Sequence, residues 1–285
     1  MKHIYLNLKR FDIPPQLGGV NRIAPPELWG EHIIRCTKEG LKEYAGKAEF
    51  TMYFPEAHIP AAVLAKGAHP VRIGCQGVYR ADTAVGGAFG AFTSQRTGNA
   101  MAALGCADAL IGHCEERAGL LGVLQAGGVC GKAAEDAVNK ILNEEIRTAQ
   151  AAGLSVLYCV GETSEQQPQW EQVLGAQLDT GLAGVDKSRA LIAYEPIWSI
   201  GPGKTPANRV YIEKTARMIK ARTGGLDVVY GGGLKAENAA MVASIPEVDG
   251  GLIALTRFSG EVGFYPDEYL EIVRLYLGKG EDNEA

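Results

Sequence analysis

The chain lacks the features that mark several common classes of protein. It contains no run of Lys or Arg, and its formal net charge is −5 with a pI near 5.6, which argues against nucleic acid as the main partner. No apolar stretch approaches the length of a membrane span, and the apolar run near the first residue is too short for a signal peptide. We therefore expect a cytoplasmic protein that does not act at a membrane.

The six cysteines show none of the spacings that are typical of metal sites. Cys75 and Cys159 lie inside apolar runs, where a free cysteine behaves as a small hydrophobic residue. We expect reduced thiols and no bound metal. Cys114 stands next to a candidate catalytic histidine, so it is the thiol expected to be sensitive to alkylation.

What the chain does contain is a regular alternation of short apolar runs with longer amphipathic or Ala-rich segments, over 285 residues that are 46% hydrophobic. Thr205 is expected to cap the helix after strand six, and Thr163 or Ser164 the one after strand five. The predicted strands are His3–Leu8, Glu49–Phe54, Val71–Cys75, Asp108–Ile111, Ser155–Val160, Ala190–Tyr194, Asp227–Tyr230 and Gly251–Leu255. The predicted helices are Glu27–Tyr44, Pro60–Lys66, Gln95–Leu104, Gly131–Ala152, Glu165–Leu182, Ala207–Thr223, Ala236–Ala243 and Pro266–Leu277. Such alternation implies an α/β fold with parallel strands, either a closed (β/α)8 barrel or a doubly wound sheet.

The end of strand six carries the strongest functional signal. Glu195 stands at the carboxyl end of a buried run, and Pro196 stops the strand because it cannot donate to the ladder. The next residues, Ile197–Ile200, are apolar and lead into Gly201 and Gly203. An acid beneath a hinged apolar loop is typical of a site from which water is excluded. The alternative is a strand-end glutamate in a surface ion pair.

Other polar residues lie at the ends of other strands. Asn7 and Lys9 follow strand one on the same side, and His113 follows strand four after a glycine. Taken alone, Lys9 could be a solvated strand-end lysine and His113 a satisfied polar residue. Strands seven and eight end near the run Gly231–Gly233 and near Arg257. Only a closed barrel brings these strand ends around one mouth, so these residues favour the barrel.

These motifs resemble the triosephosphate isomerase family over nearly the whole chain. The resemblance rests on Asn7-Leu8-Lys9, on Ile111-Gly112-His113-Cys114-Glu115-Glu116-Arg117, on Ala193-Tyr194-Glu195-Pro196-Ile197-Trp198 with Gly201-Pro202-Gly203-Lys204, and on Tyr230-Gly231-Gly232-Gly233. It implies a (β/α)8 barrel without metal or cofactor. It also implies that Glu195 is the catalytic base, that His113 polarises the substrate carbonyl and that Lys9 contacts the phosphorylated substrate. Glu115 would pair with Lys9, and Asn7 would bind substrate beside it.

The expected phosphate end departs from the family. Gly201, Gly232 and Gly233 would offer backbone N–H groups, with Gly233 in the place of a serine. Ala254 and Leu255 replace a Gly-Gly pair, and Leu255 adds bulk where a backbone should approach the phosphate. Arg257 would either donate to the phosphate or remain a solvated charge.

The resemblance implies aldose–ketose isomerisation of a small phosphorylated sugar, with triose phosphate as the leading substrate. Because of the departures, two alternatives stay open: an isomerase of a four-carbon sugar phosphate, and a catalytically weak barrel that binds phosphorylated metabolites. We expect one barrel domain over residues 1–285, with enlarged loops near 10–26 and 76–93 and a frayed polar tail. Family members form homodimers through the loop after strand three, so a homodimer is expected here.

Overall fold

The computed structural model describes residues 1–201 and 203–278. Eight parallel strands close into a barrel in the order β1 to β8, with β8 paired back onto β1. The strands are β1 (Lys2–Asn7), β2 (Ala48–Phe54), β3 (Arg72–Cys75), β4 (Asp108–Ile111), β5 (Ser155–Val160), β6 (Ala190–Tyr194), β7 (Val228–Tyr230) and β8 (Gly250–Ile253). The predicted (β/α)8 barrel is confirmed, and the doubly wound sheet is excluded.

The helices lie outside the barrel. In the residues described they are α1 (Trp29–Leu41), α2 (Ile59–Lys66), α3 (Gly98–Ala103), α4 (Cys114–Ala126), α5 (Gly131–Ala151), α6 (Trp170–Gly181), α7 (Arg209–Thr223), α8 (Ala236–Ala243) and α9 (Pro266–Leu277). None of these helices has the length and apolar character needed to cross a membrane.

Side chains alternate between two cores along the strands. Inside the barrel, Tyr5 and Tyr53 stack with ring centroids 5.9 Å apart and pack with buried residues of the other strands. Ile4 and Leu6 point outward and belong to the larger core between strands and helices. Burial on both faces explains why the strands appear in the sequence as apolar runs rather than as strict alternations.

Helix α4 was not predicted. It contains Gly119 and Gly122, which each cost about 1 kcal/mol relative to alanine in a helix, and its apolar residues follow no single stripe. Arg117 is its one buried residue. The helix therefore has little local signal, although it begins directly after the catalytic candidate His113.

Several predicted boundaries were wrong. Helix α7 begins at Arg209 rather than near Pro206, because the Asn208 side chain, not Thr205, accepts the cap hydrogen bond, from the Tyr211 N–H at 2.9 Å. The segment after β5 forms a loop and one short turn, so α6 begins only at Trp170. Helices α1 and α3 are likewise shorter than predicted, with single tight turns flanking α1.

Strand β8 ends two residues earlier than predicted, at Ile253, opposite Leu6 of β1. Ala254 and Leu255 therefore lie in the loop that follows the strand. The single-domain organisation over residues 1–285 stays a prediction. The predicted frayed tail lies outside the described residues apart from Gly278.

Candidate active site

Glu195 follows β6 and is only 2% exposed at the carboxyl end of the barrel. Its Oε1 lies 3.3 Å from His113 Nε2, and its Oε2 accepts a hydrogen bond from the Cys114 N–H at 3.1 Å. Gly231 allows this position, since a Cβ there would lie 3.0 Å from Glu195 Cγ. The surface ion pair considered as the alternative for Glu195 is therefore excluded.

His113 is the N-cap of α4. Its Nδ1 accepts a hydrogen bond from the Glu115 N–H at 3.2 Å, so this network assigns the ring proton to Nε2, which faces Glu195. A protonated Nδ1 would lose the cap bond and would face the positive end of the helix dipole. The arrangement therefore favours a neutral imidazole that donates from Nε2.

The residue before His113 sets this geometry. Gly112 adopts φ +81°, and a Cβ there would lie 2.8 Å from the Cys159 carbonyl oxygen. A side chain at this position would be disfavoured both by the left-handed backbone and by the contact. The turn that presents the histidine therefore requires glycine.

Lys9 lies in a loop just beyond β1 with φ +43°, a left-handed conformation that is unusual for a residue with a side chain. Its N–H donates to Asn7 Oδ1 at 3.1 Å, and Gln76 Nε2 donates to its carbonyl oxygen at 3.1 Å. Lys9 Nζ lies 2.7 Å from Glu115 Oε1, the pair that the resemblance implied. Burial alone would raise the pKa of Glu115, but the hydrogen bond and charge of Lys9 outweigh it and lower that pKa.

Cys114 lies between the histidine and this ion pair. Burial, reinforced by the negative charge of Glu195, raises the pKa of the Cys114 thiol to about 12. The thiol is therefore protonated at neutral pH, which argues against the alkylation sensitivity expected from its position. His113, Cys114 and Glu195 place donor atoms within 4.8 Å of one another, and the Cys114 thiol would have to lose its proton to bind a metal ion.

The apolar loop after Glu195 is anchored to a buried acid. Ile197–Ser199 form one tight turn, and Trp198 Nε1 donates to Glu162 Oε1 at 2.8 Å. The hydroxyls of Tyr194 and Tyr211 donate to the same oxygen, each at 3.0 Å. Burial raises the pKa of Glu162 more than these three donors lower it. Glu162 therefore holds the loop in place, a role that no local sequence pattern indicates.

The predicted site residues surround one cavity of about 400 Å³ at the mouth of the barrel. The predicted members that line it are Asn7, Lys9, His113, Glu115, Glu195, Gly201, Gly233, Ala254 and Leu255. Phe11 and Phe258 also line it and were not predicted, because an aromatic residue in a loop gives no local signal of its partners.

Two predicted substrate-binding residues do not line this cavity. Gly232 packs behind it, where a Cβ would lie 2.6 Å from Pro196 Cγ. The Arg257 Nε donates to Glu268 Oε1 at 2.8 Å, and the guanidinium lies 3.9 Å from the centre of the Tyr265 ring. In this structure Arg257 is thus paired with Glu268 on the next helix, while its side chain is still 39% exposed.

Comparisons with known proteins identify relatives over most of the chain. The family model described as triosephosphate isomerase matches residues 31–273. The triosephosphate isomerase of Halorhodospira halophila is 31% identical over 255 residues, 85% of this chain and 91% of that protein. That of Pseudomonas savastanoi pv. phaseolicola is 31% identical over 264 residues, which cover 86% and 95%. The triosephosphate isomerase of Nitrosomonas europaea is 36% identical over 176 residues, 58% of this chain and 64% of that protein.

A solved structure supports the fold alone. The crystal structure of triosephosphate isomerase from Bartonella henselae aligns with a TM-score of 0.69 at 22% identity, over 96% of this chain and 98% of that one. The family model covers most of the chain, and relatives above 30% identity cover more than two thirds of it. This chain belongs to the triosephosphate isomerase family.

Proposed function

We propose that this protein interconverts glyceraldehyde 3-phosphate and dihydroxyacetone phosphate. The observation that carries the proposal is the buried Glu195 carboxylate, 3.3 Å from the Nε2 of a histidine whose other nitrogen is occupied by a backbone N–H. The relatives described above bear the name of this enzyme. Their names do not favour the two alternatives, an isomerase of a four-carbon sugar phosphate and a catalytically weak barrel that binds phosphorylated metabolites. Turnover of glyceraldehyde 3-phosphate by the purified protein tests the proposal, and no turnover under saturating substrate would contradict it.

The mechanism moves one proton between two neighbouring carbons of the substrate and one between their two oxygens. The carboxylate of Glu195 removes the proton from the carbon next to the substrate carbonyl. His113 Nε2–H donates to the carbonyl oxygen, and the Lys9 ammonium stabilises the enediolate that forms. Glu195 then returns its proton to the neighbouring carbon. His113 Nε2 passes its proton to the former carbonyl oxygen and regains one from the neighbouring hydroxyl, whose carbon becomes the new carbonyl. This use of a glutamate base with a neutral histidine is known for the family, and it draws on no metal or cofactor.

The apolar loop over Glu195 is proposed to act as a lid that closes when a phosphorylated ligand binds. Saturating phosphoglycolate is expected to slow amide hydrogen exchange at Trp198, Ile200 and Gly201, because closure buries these residues, which are partly exposed here. Exchange measured by mass spectrometry, with the peptide of α2 as an internal control, tests this. Equal exchange in both states would contradict a lid.

The phosphate end is proposed to be weakened by Ala254 and Leu255, both of which line the mouth cavity. Replacing both by glycine should raise kcat/KM for glyceraldehyde 3-phosphate about tenfold, the value of one recovered hydrogen bond to a charged group. Leu17→Gly, at an exposed leucine of another loop, is the matched control. If the wild-type protein already works near the diffusional ceiling of about 10⁸–10⁹ M⁻¹s⁻¹, the departure is neutral and this prediction is wrong.

We also propose a homodimer formed through the loop between β3 and α3. Val85 and Phe89 in this loop are almost fully exposed, which is unfavourable for an isolated chain. Phe89→Asp is expected to convert a dimer to a monomer in light scattering after gel filtration, whereas Leu64→Asp, at an exposed leucine of α2, should not. A dimer that survives Phe89→Asp would place the interface elsewhere.

We propose that the protein lies in the cytoplasm. All six cysteines are free thiols, including the buried Cys75 and Cys106. Free thiols of this kind are typical of proteins in a reducing compartment.

A further inference from the structure

Arg117 is a buried arginine near the start of α4 that the proposed mechanism does not use. Only 7% of its surface is exposed. Among the described residues, every acceptor that its guanidinium binds is uncharged. A guanidinium stays ionised in proteins, so its burial without a carboxylate partner is costly. A buried charge of this kind indicates a role beyond packing.

The guanidinium joins the ends of two neighbouring strands. Arg117 Nε donates to the carbonyl oxygen of Gly112, just after β4, at 2.9 Å, and Nη2 donates to the carbonyl oxygen of Cys159 in β5 at 3.0 Å. Nη2 also donates to the Tyr158 hydroxyl, and Nη1 donates to Asn139 Oδ1 of α5, both at 2.9 Å. One planar group therefore holds the turn between β4 and α4 against β5 and α5, which the fixed fork of an arginine allows.

Arg117 holds the backbone on both sides of the His113 Cα. In the part of the chain that the structure describes, its Nε is the only donor to the buried carbonyl oxygen of Gly112. Its backbone N–H donates to the carbonyl oxygen of His113 at 3.0 Å. These two carbonyl groups belong to the two peptide units that flank the His113 Cα. The side chain of His113 therefore leaves the turn in one fixed direction.

The far side of the network is equally well fixed. Tyr158 is fully buried, and its hydroxyl donates to the Gln177 carbonyl oxygen at 2.9 Å while it accepts from Arg117. Gly181 makes room for this hydroxyl, because a Cβ there would collide with it. The partner that Arg117 binds in β5 therefore cannot move freely, and the guanidinium connects the turn to a rigid part of the barrel.

We infer that Arg117 is a positioning residue for catalysis: its guanidinium ties the turn before α4 to β5 and thereby keeps His113 aimed at Glu195. The distance of 3.3 Å from His113 Nε2 to Glu195 Oε1 depends on this turn. Without the guanidinium the Gly112 carbonyl loses its donor and the turn loosens. Activity is then lost in kcat rather than in KM, because Lys9 and the other substrate-binding groups lie on other strands. The inference rests on the proposed function for its kinetic consequence and on the contacts for the rest.

The kinetic test is Arg117→Lys, which keeps the positive charge but replaces the planar fork by one ammonium that cannot serve all four acceptors. The kcat for glyceraldehyde 3-phosphate should fall at least about tenfold, toward the roughly 100-fold cost of misplacing a group by about 1 Å, with KM unchanged. Arg147→Lys, at an exposed arginine of α5, is the matched control and should keep both constants. Wild-type kcat in a folded Arg117→Lys protein overturns the inference, and so does a loss that appears only in KM.

A second readout is independent of turnover. In protein with ¹⁵N-labelled histidine, wild-type His113 should show one protonated and one unprotonated ring nitrogen, because the Glu115 N–H occupies Nδ1. In Arg117→Lys the two nitrogen shifts should approach each other, since a loosened turn lets both tautomers form. The signals of His113 are those that disappear in His113→Gln.

If Arg117→Lys does not fold, Tyr158→Phe replaces it, because phenylalanine keeps the ring and removes one acceptor of the guanidinium. The same change in the His113 signals, with a smaller decrease in kcat, is then expected. A protein without isomerase activity in which the His113 signals change would contradict only the proposed function. An active protein whose His113 signals are the same in wild type and variant would contradict the positioning role.

Discussion

Replacing Glu195 by glutamine is expected to lower kcat by at least about 100-fold, the lower range for loss of a general base, while the fold survives. Glutamine keeps the shape of the side chain, and its carbonyl oxygen can still accept from the Cys114 N–H that now binds Oε2. It cannot take a proton from the substrate carbon. The measurement is steady-state turnover of glyceraldehyde 3-phosphate, with circular dichroism to verify the fold.

The size of the effect separates a catalytic from a structural role for Glu195. Glu165→Gln, at an exposed glutamate in the loop after β5, is the matched control and should keep wild-type kcat. Solvent-derived tritium exchange into substrate should fall in parallel with kcat in Glu195→Gln, because both need the same proton transfer. Turnover close to wild type in a folded Glu195→Gln protein would remove Glu195 from the mechanism.

Much of the fold could be predicted because buried parallel strands leave a strong local pattern. The run Ser155–Val160 was predicted with its observed ends, since its residues from Val156 onward pack against either the barrel interior or the helices. The wrong predictions concern elements with a weak local pattern or with two candidate N-cap residues. Helix α4 has glycines and no apolar stripe, and Asn208 rather than Thr205 caps α7.

The candidate site could be predicted only in part. Glu195, His113 and Lys9 were identified by their place in motifs, and the barrel brings them to one mouth. The hydrogen bond from the Cys114 N–H to Glu195 joins two strand ends that are distant in sequence, so no local pattern contains it. The same holds for Arg257, whose partner Glu268 lies on the next helix.

Replacing His113 and replacing Lys9 should change the kinetic constants in different ways. His113→Gln is expected to lower kcat about 10² to 10³-fold with little change in KM, the range for removal of one preorganised donor at a developing oxyanion. Glutamine could place its amide near the carbonyl oxygen, but it cannot reproduce the fixed Nε2–H that the Glu115 N–H orients through Nδ1. A decrease in kcat alone marks a donor that acts in the transition state.

Lys9→Met should lower kcat and also raise KM, because the ammonium attracts the anionic substrate before the reaction as well as stabilising the enediolate. The loss of its pair with Glu115 leaves a carboxylate at the mouth, which repels the phosphorylated substrate further. Lys132→Met, at an exposed lysine of α5, controls for the loss of one positive charge and should retain both constants. Rising ionic strength should raise KM in wild type, because salt screens the attraction between the Lys9 ammonium and the anionic substrate. In Lys9→Met this attraction is absent, so KM should change less. Unchanged constants in both His113→Gln and Lys9→Met would mean that the reaction occurs at another site on this protein.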